Sequence, residues 1–168
     1  MNLSLDAINN HSPYAVQKID ESTYTFTTKS GIVYCVGFVR DESFMSEGAY
    51  QFFINNTSGK NAPQDMNVSK TIQALIVEFF NHEPVVMLYI CDTKDEKQAV
   101  RNRLFRIWFE AYVSHAEFSM YNEQIEFEGV VYFASVLLKK DHPLHNEVIA
   151  NFHDFIFSLP EKFAGNED

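Results

Sequence analysis

The chain has 168 residues and a formal net charge of −10, with 46% hydrophobic residues, 15% aromatics and 16 phenylalanines. That is enough apolar material for one domain with its own core, with no need of a metal or disulfide staple. The acidic balance disfavours the phosphate backbone of nucleic acids, and no apolar run approaches the ~20 residues of a membrane span.

The start, MNLSLDAINN, has no basic n-region and no long apolar run, so no secretory leader is expected and residues 1–12 are expected to be loose. Without a leader, the sequons at Asn55–Thr57 and Asn67–Ser69 are not read as glycosylation sites. Tyr14–Ile19 alternates in part and predicts a first strand. Ser22–Thr28 and Ile32–Arg40 predict a hairpin around Lys29–Gly31, with Gly31 free to take positive φ. Ala49–Asn56 is a further strand, closed by the loop TSGKNAPQD. The period then changes. Val68, Ile72, Leu75, Ile76, Phe79 and Phe80 recur at helical steps, with Asn67 or Asp65 as N-cap. Val85–Cys91 is apolar throughout, as a strand covered on both faces would be. A helix is predicted from about Asp95 to Val113, then a hairpin from Glu117 to Lys140 turning near Gly129. Pro143 suits the first turn of a last helix, whose apolar stripe runs from Leu144 through Val148, Phe152 and Phe155 to Leu159.

There is no internal repeat and no linker. The expected architecture is a single α+β domain over residues 1–168, with 1–12 and 164–168 loose. Its sheet is expected to be mixed or mostly antiparallel, of about six to seven strands, packed with three helices. Cys35 and Cys91 each lie in a strand-like run and are read as buried, reduced thiols, which suits a cytoplasmic protein.

One polar cluster stands out. On a helical wheel Val100, Leu104, Ile107, Trp108, Ala111 and Tyr112 fall on one side, with Arg103, Arg106 and Glu110 on the other. Arg106 and Glu110 can pair at i, i+4. Arg101 falls inside the apolar sector, between Phe105 and Trp108. A guanidinium there can snorkel to the rim, stack on Phe105, Trp108 or Tyr112, or be held by a carboxylate. Asp92 and Asp95 are the nearby acids, and Asp95 or Thr93 is the candidate N-cap. Asp92, Asp95 and Arg101 are therefore expected to fasten strand to helix, or else to hold an anionic ligand at the strand's carboxyl end.

Other constellations are weak. His142, His145 and His153 do not follow a zinc spacing, so no metal is expected. No nucleophile elbow, dinucleotide fingerprint or P-loop is present, so no catalytic set and no cofactor are assigned. Glu126 and Glu128 would share one side of a strand, an arrangement most often solvated. Arg103 and Arg106 are two arginines on an acidic chain, a surface ion-pair device more than a nucleic-acid face.

The stretches YTFTTKSGIVYCVGF, Tyr24–Phe38, and CDTKDEKQAVRNRLFRIWF, Cys91–Phe109, resemble an uncharacterised family of small proteins from Bacteroidetes bacteria, carried as a domain of unknown function. The second is the more distinctive, combining Asp92, Asp95, Gln98, Arg101, Arg103, Phe105 and Trp108. The resemblance runs from about Tyr14 to Lys162 and implies a bacterial cytoplasmic protein with no assigned activity and no catalytic residues to carry over. The expectation is thus a non-enzymatic binding or interaction module with a protein partner or a homo-oligomer. The alternative is a small-ligand binder or enzyme using Asp92, Asp95 and Arg101, and a further one is a toxin–antitoxin or defence component.

Overall fold

In the computed structural model the described residues are 1–82, 84–110 and 117–164. The chain divides into two compact units, Met1–Val39 with Phe52–Glu83, and Arg40–Gln51 with Pro84–Asp168.

The first unit opens with a helix where a loose start was expected, α1 (Leu5–His11). Ser4 caps it by accepting the Ala7 N–H, and Leu3 and Ile8 are buried. Leu3, Leu5, Ala7 and Ile8 span barely more than one turn and are followed by polar residues, too short a run to show a helical period, so the sequence pattern hid this helix. The Leu3 N–H donates to the Tyr24 hydroxyl at 3.2 Å, and the Ser4 N–H to the Glu78 carboxylate at 3.0 Å. Strands β1 (Gln17–Lys18), β2 (Thr23–Thr27) and β3 (Val33–Arg40) pair antiparallel in succession. Gly31 takes φ +74° in the β2–β3 turn, as expected. Helix α2 (Met66–Phe80) is capped by Asp65, whose carboxylate accepts from the Asn67 N–H and from the Tyr14 hydroxyl. Its apolar face carries Phe79, stacked on Phe38 of β3 with centroids 4.4 Å apart.

In the second unit β5 (Val86–Ile90) is buried nearly throughout and pairs antiparallel with β7 (Val130–Lys139). The other edge of β7 pairs with β6 (Phe118–Phe127). Glu128 and Gly129 both take positive φ, +51° and +80°, which is the twist a two-residue hairpin turn needs. Glu128 is therefore in the turn and does not share a strand face with Glu126. Registers Tyr89↔Ser135 and Asn122↔Ser135 put these three side chains on one face of the sheet, under helix α3 (Gln98–Glu110). Leu88 and Val136 point to the opposite face. There they join one core cluster with Val148, Phe152 and Ile156 of α4 (His145–Ile156) and Leu159 of α5 (Leu159–Ala164).

The single last helix expected from Pro143 onward is thus two. Pro143 lies before α4, and the chain breaks at Phe157–Ser158, where the Ser158 N–H and hydroxyl both bond the Phe155 carbonyl. Pro160 has no N–H to continue the ladder.

With β4 (Ala49–Asn56), matching its predicted bounds, the strands follow the order β1-β2-β3-β4-β5-β7-β6 in a mixed seven-stranded sheet, and the fold is α+β. The Val86 N–H donates to the Gly48 carbonyl at 2.8 Å, so β4 and β5 begin side by side. The described residues hold five helices rather than three. Among them no helix is long and apolar enough to cross a membrane.

Candidate functional site

The site lies where β5 hands over to α3. Cys91, 1% exposed, ends the buried run, and burial pushes its thiol up to about 12. Tyr89, two residues back on the same face, stacks on Phe105 of α3 at 4.0 Å, and burial pushes its phenol up too. The loop then turns back on itself. The Asp92 carboxylate accepts the Lys94 N–H at 2.9 Å, and the Asp95 carboxylate accepts the Lys97 N–H at 3.2 Å. Glu96, between Asp95 and Lys97, takes φ +58°. The helix begins only at Gln98, so Asp95 caps the preceding turn rather than a helix starting at residue 95. The residues beyond Glu110 expected to complete that helix, Ala111, Tyr112 and Val113, lie outside the described part of the chain.

Arg101 lies beside Phe105 at the edge of the buried face of α3, not sequestered in an apolar face as its wheel position implied, and is held by an acid. Its Nη1 donates to Asp95 Oδ1 at 2.7 Å and to the Asp92 carbonyl at 3.0 Å, and its Nη2 donates to Asp95 Oδ2. The fork-to-fork pairing holds the Asp95 carboxyl down to about 2, chiefly through these hydrogen bonds, and raises the arginine. The structure brings Arg101, Asp95 and Asp92 together, but Asp92 contributes its backbone carbonyl and spends its carboxylate on the local turn. The pair is at the rim: the Arg101 side chain is 34% exposed and that of Asp95 45%.

The wheel's apolar side is not the buried one. Asn102, Phe105 and Phe109 face the sheet, with Phe105 and Phe109 in ring contact at 4.2 Å. Val100, Leu104 and Ile107 point away and are 58%, 43% and 50% exposed. Helix α3 therefore carries two apolar faces, and the aromatic one wins the sheet because Tyr89 offers it a ring to stack on. Arg103 is exposed, and Arg106 pairs with Glu110 at 3.2 Å as expected.

One polar cluster escaped the sequence reading. Asn122 Nδ2 donates to Asn102 Oδ1 at 2.7 Å and to Ser135 Oγ at 2.6 Å, tying α3 to β6 and β7. The available signal was Asn102 itself, which falls beside Phe105 and Phe109 on the wheel. Gln98 donates to the Val131 carbonyl at 3.2 Å, while its buried Oε1 has no partner among the described residues.

The histidines go to separate partners. His142, buried, accepts the Leu144 N–H on Nδ1 at 3.1 Å, His145 Nε2 lies 3.1 Å from Ser119 Oγ, and His153 Nδ1 lies 3.2 Å from Glu123 Oε1. Among the described residues no group of three His, Cys, Asp or Glu side chains could hold a metal ion.

No curated protein and no solved structure matches this chain. One family does: its profile matches residues 64–154, more than half the chain, from the N-terminal cap of α2 to the last turns of α4. This stretch contains the second of the two distinctive segments, with Asp92, Asp95 and Arg101, and leaves Tyr24–Phe38 outside. The chain belongs to the family of unknown function DUF6169.

Proposed function

We propose that this chain is a protein-interaction module, not an enzyme, and that it docks through the outward face of α3. One observation carries the reading: Val100, Leu104 and Ile107 form an apolar stripe on the side of the helix away from its own sheet. Stripes of large apolar side chains held in water are typical of partner surfaces. Of the charged groups beside it, Arg101 is paired with Asp95 and Arg106 with Glu110, while Arg103 is exposed. Two unpaired thiols, one of them buried, suit a reducing bacterial cytoplasm, and the resemblance to Bacteroidetes proteins points the same way. We take the chain to act as one domain.

A photocrosslinking residue at Leu104, expressed in cells, is expected to form a protein adduct that Ile107→Glu abolishes. No adduct, or an equal yield from the exposed Glu147 of α4, would overturn the reading.

A second reading places a small anionic ligand at Asp92, Asp95 and Arg101, favoured by Gln98 Oε1 in α3, which is buried and has no partner among the described residues. On that reading Arg101→Met abolishes ligand binding and leaves stability unchanged. As a fastener, the same variant lowers stability and has no ligand to lose.

A further inference from the structure

The occupant of the α3 stripe can be named from the stripe's own spacing and charges. Val100, Leu104 and Ile107 are separated by four and three residues, and Ala111 continues that spacing in the sequence. This is the seam of a helix that packs along another helix, narrower than the face of a helix on a sheet. The described part of α3, Gln98–Glu110, is about 20 Å long. Arg103 and Glu110 both lie on one flank of the seam, seven residues apart and of opposite charge. Arg103 is exposed and has no ion-pair partner among the described residues. Glu110 is half exposed and, among the described residues, pairs with Arg106 one turn away on the helix surface.

We propose that a second copy of this chain occupies the stripe, its α3 packed antiparallel along the first. The inference rests on the interaction reading above and deepens it by naming the partner. In an antiparallel pair about a twofold axis, Leu104 of each copy meets Ile107 of the other. The same flanks then face each other. Arg103 comes within reach of Glu110 of the second copy, offset by about 3 Å along the axis, and the contact occurs twice. A parallel pair would keep each residue level with its own counterpart and bring no opposite charges together. A helix pair this short buries less than the ~1,200 Å² of a standard interface, so the association is weak. The net charge of −10 on each copy opposes it further at low salt.

Sedimentation of the full chain at about 0.15 M salt, from roughly 10 to 500 µM, tests the proposal. The expected result is a monomer–dimer equilibrium in the upper part of that range. Leu104→Glu, an exposed substitution that leaves the thermal melt unchanged, should be monomeric throughout. Arg103→Glu should weaken the dimer roughly threefold or more, and adding Glu110→Arg should restore it. A monomer at every concentration would overturn self-pairing, as would a dimer indifferent to Leu104→Glu or a charge reversal without rescue. If the chain is monomeric yet the Leu104 crosslinker still captures a different protein, self-pairing fails while the interaction reading stands.

Discussion

Asp95 and Arg101 show how a rim ion pair differs from a buried one. A fully buried guanidinium would orphan a carboxylate when removed, at a cost of several kcal/mol. Here both side chains reach water, so the pair orders a loop more than it stabilises a core. The carboxyl is depressed in the fold, so its contribution is present above the ordinary carboxylate range, near 3.9, and is lost as pH falls through about 2. Carbon-detected NMR should find Asp95 titrating near 2 and, in Arg101→Met, back among ordinary carboxylates. A value unchanged by the substitution would remove the arginine as its cause. The Asn102–Asn122–Ser135 cluster is the buried counterpart. Asn122→Ala should cost about 1–3 kcal/mol in denaturant unfolding, because Asn102, 7% exposed, loses its nearest side-chain partner. A neutral result would mean the cluster stays satisfied without it.

Helix α3 carries two apolar faces, one buried against the sheet and one exposed. Phe105, 1% exposed between Tyr89 and Phe109, should cost about 3–5 kcal/mol when cut to alanine. Ile107→Ala, on the outward stripe, should change the stability of the isolated monomer by less than about 0.5 kcal/mol. Equal losses at the two positions in thermal or urea melts would place the stripe in a core after all. At the entrance to α4, His142 can accept the Leu144 N–H only while its Nδ1 is unprotonated, and burial lowers its basicity accordingly. That contribution is present above the ordinary histidine value near 6.5 and fades as pH falls below it. Leu144 amide exchange, corrected for its intrinsic rate, should quicken from pH 7.5 to pH 5 in the native protein and show no such step in His142→Phe.

Across the molecule, the two cysteines give separate readouts. Cys91 is 1% exposed with a thiol near 12, whereas Cys35 is partly exposed and its thiol is raised less far by burial. Iodoacetamide at pH 8 should therefore label Cys35 first and reach Cys91 only in denaturant concentrations that unfold α3 and β5. Early labelling of Cys91 would mean that the β5–α3 packing opens locally. Strands such as Ala49–Asn56, the turns at Gly31 and Gly129, and the amphipathic α2 were legible because each follows from a local rule: alternation, positive φ, or a 3.6-residue period. An acid as the holder of Arg101 followed from two aspartates within reach, whereas its place at the rim did not follow from the wheel, whose apolar sector is not the buried face. Helix α1 was hidden because its stability comes from Leu3 and Ile8 docking and from Ser4 meeting Glu78, which is 74 residues away. The choice between α3's two faces was hidden for a related reason. Both faces are apolar at helical spacing, and what lies on the sheet beneath the helix, the Tyr89 ring against Phe105 and Asn122 bonded to Asn102, accompanies the choice of Phe105 as the inward residue. Local pattern thus sufficed for most of the strands, the turns and the pairing of Arg101 with an acid; strand order, the buried asparagine cluster and the outward stripe depended on which distant surfaces packed together, because burial is a property of the partner as much as of the residue.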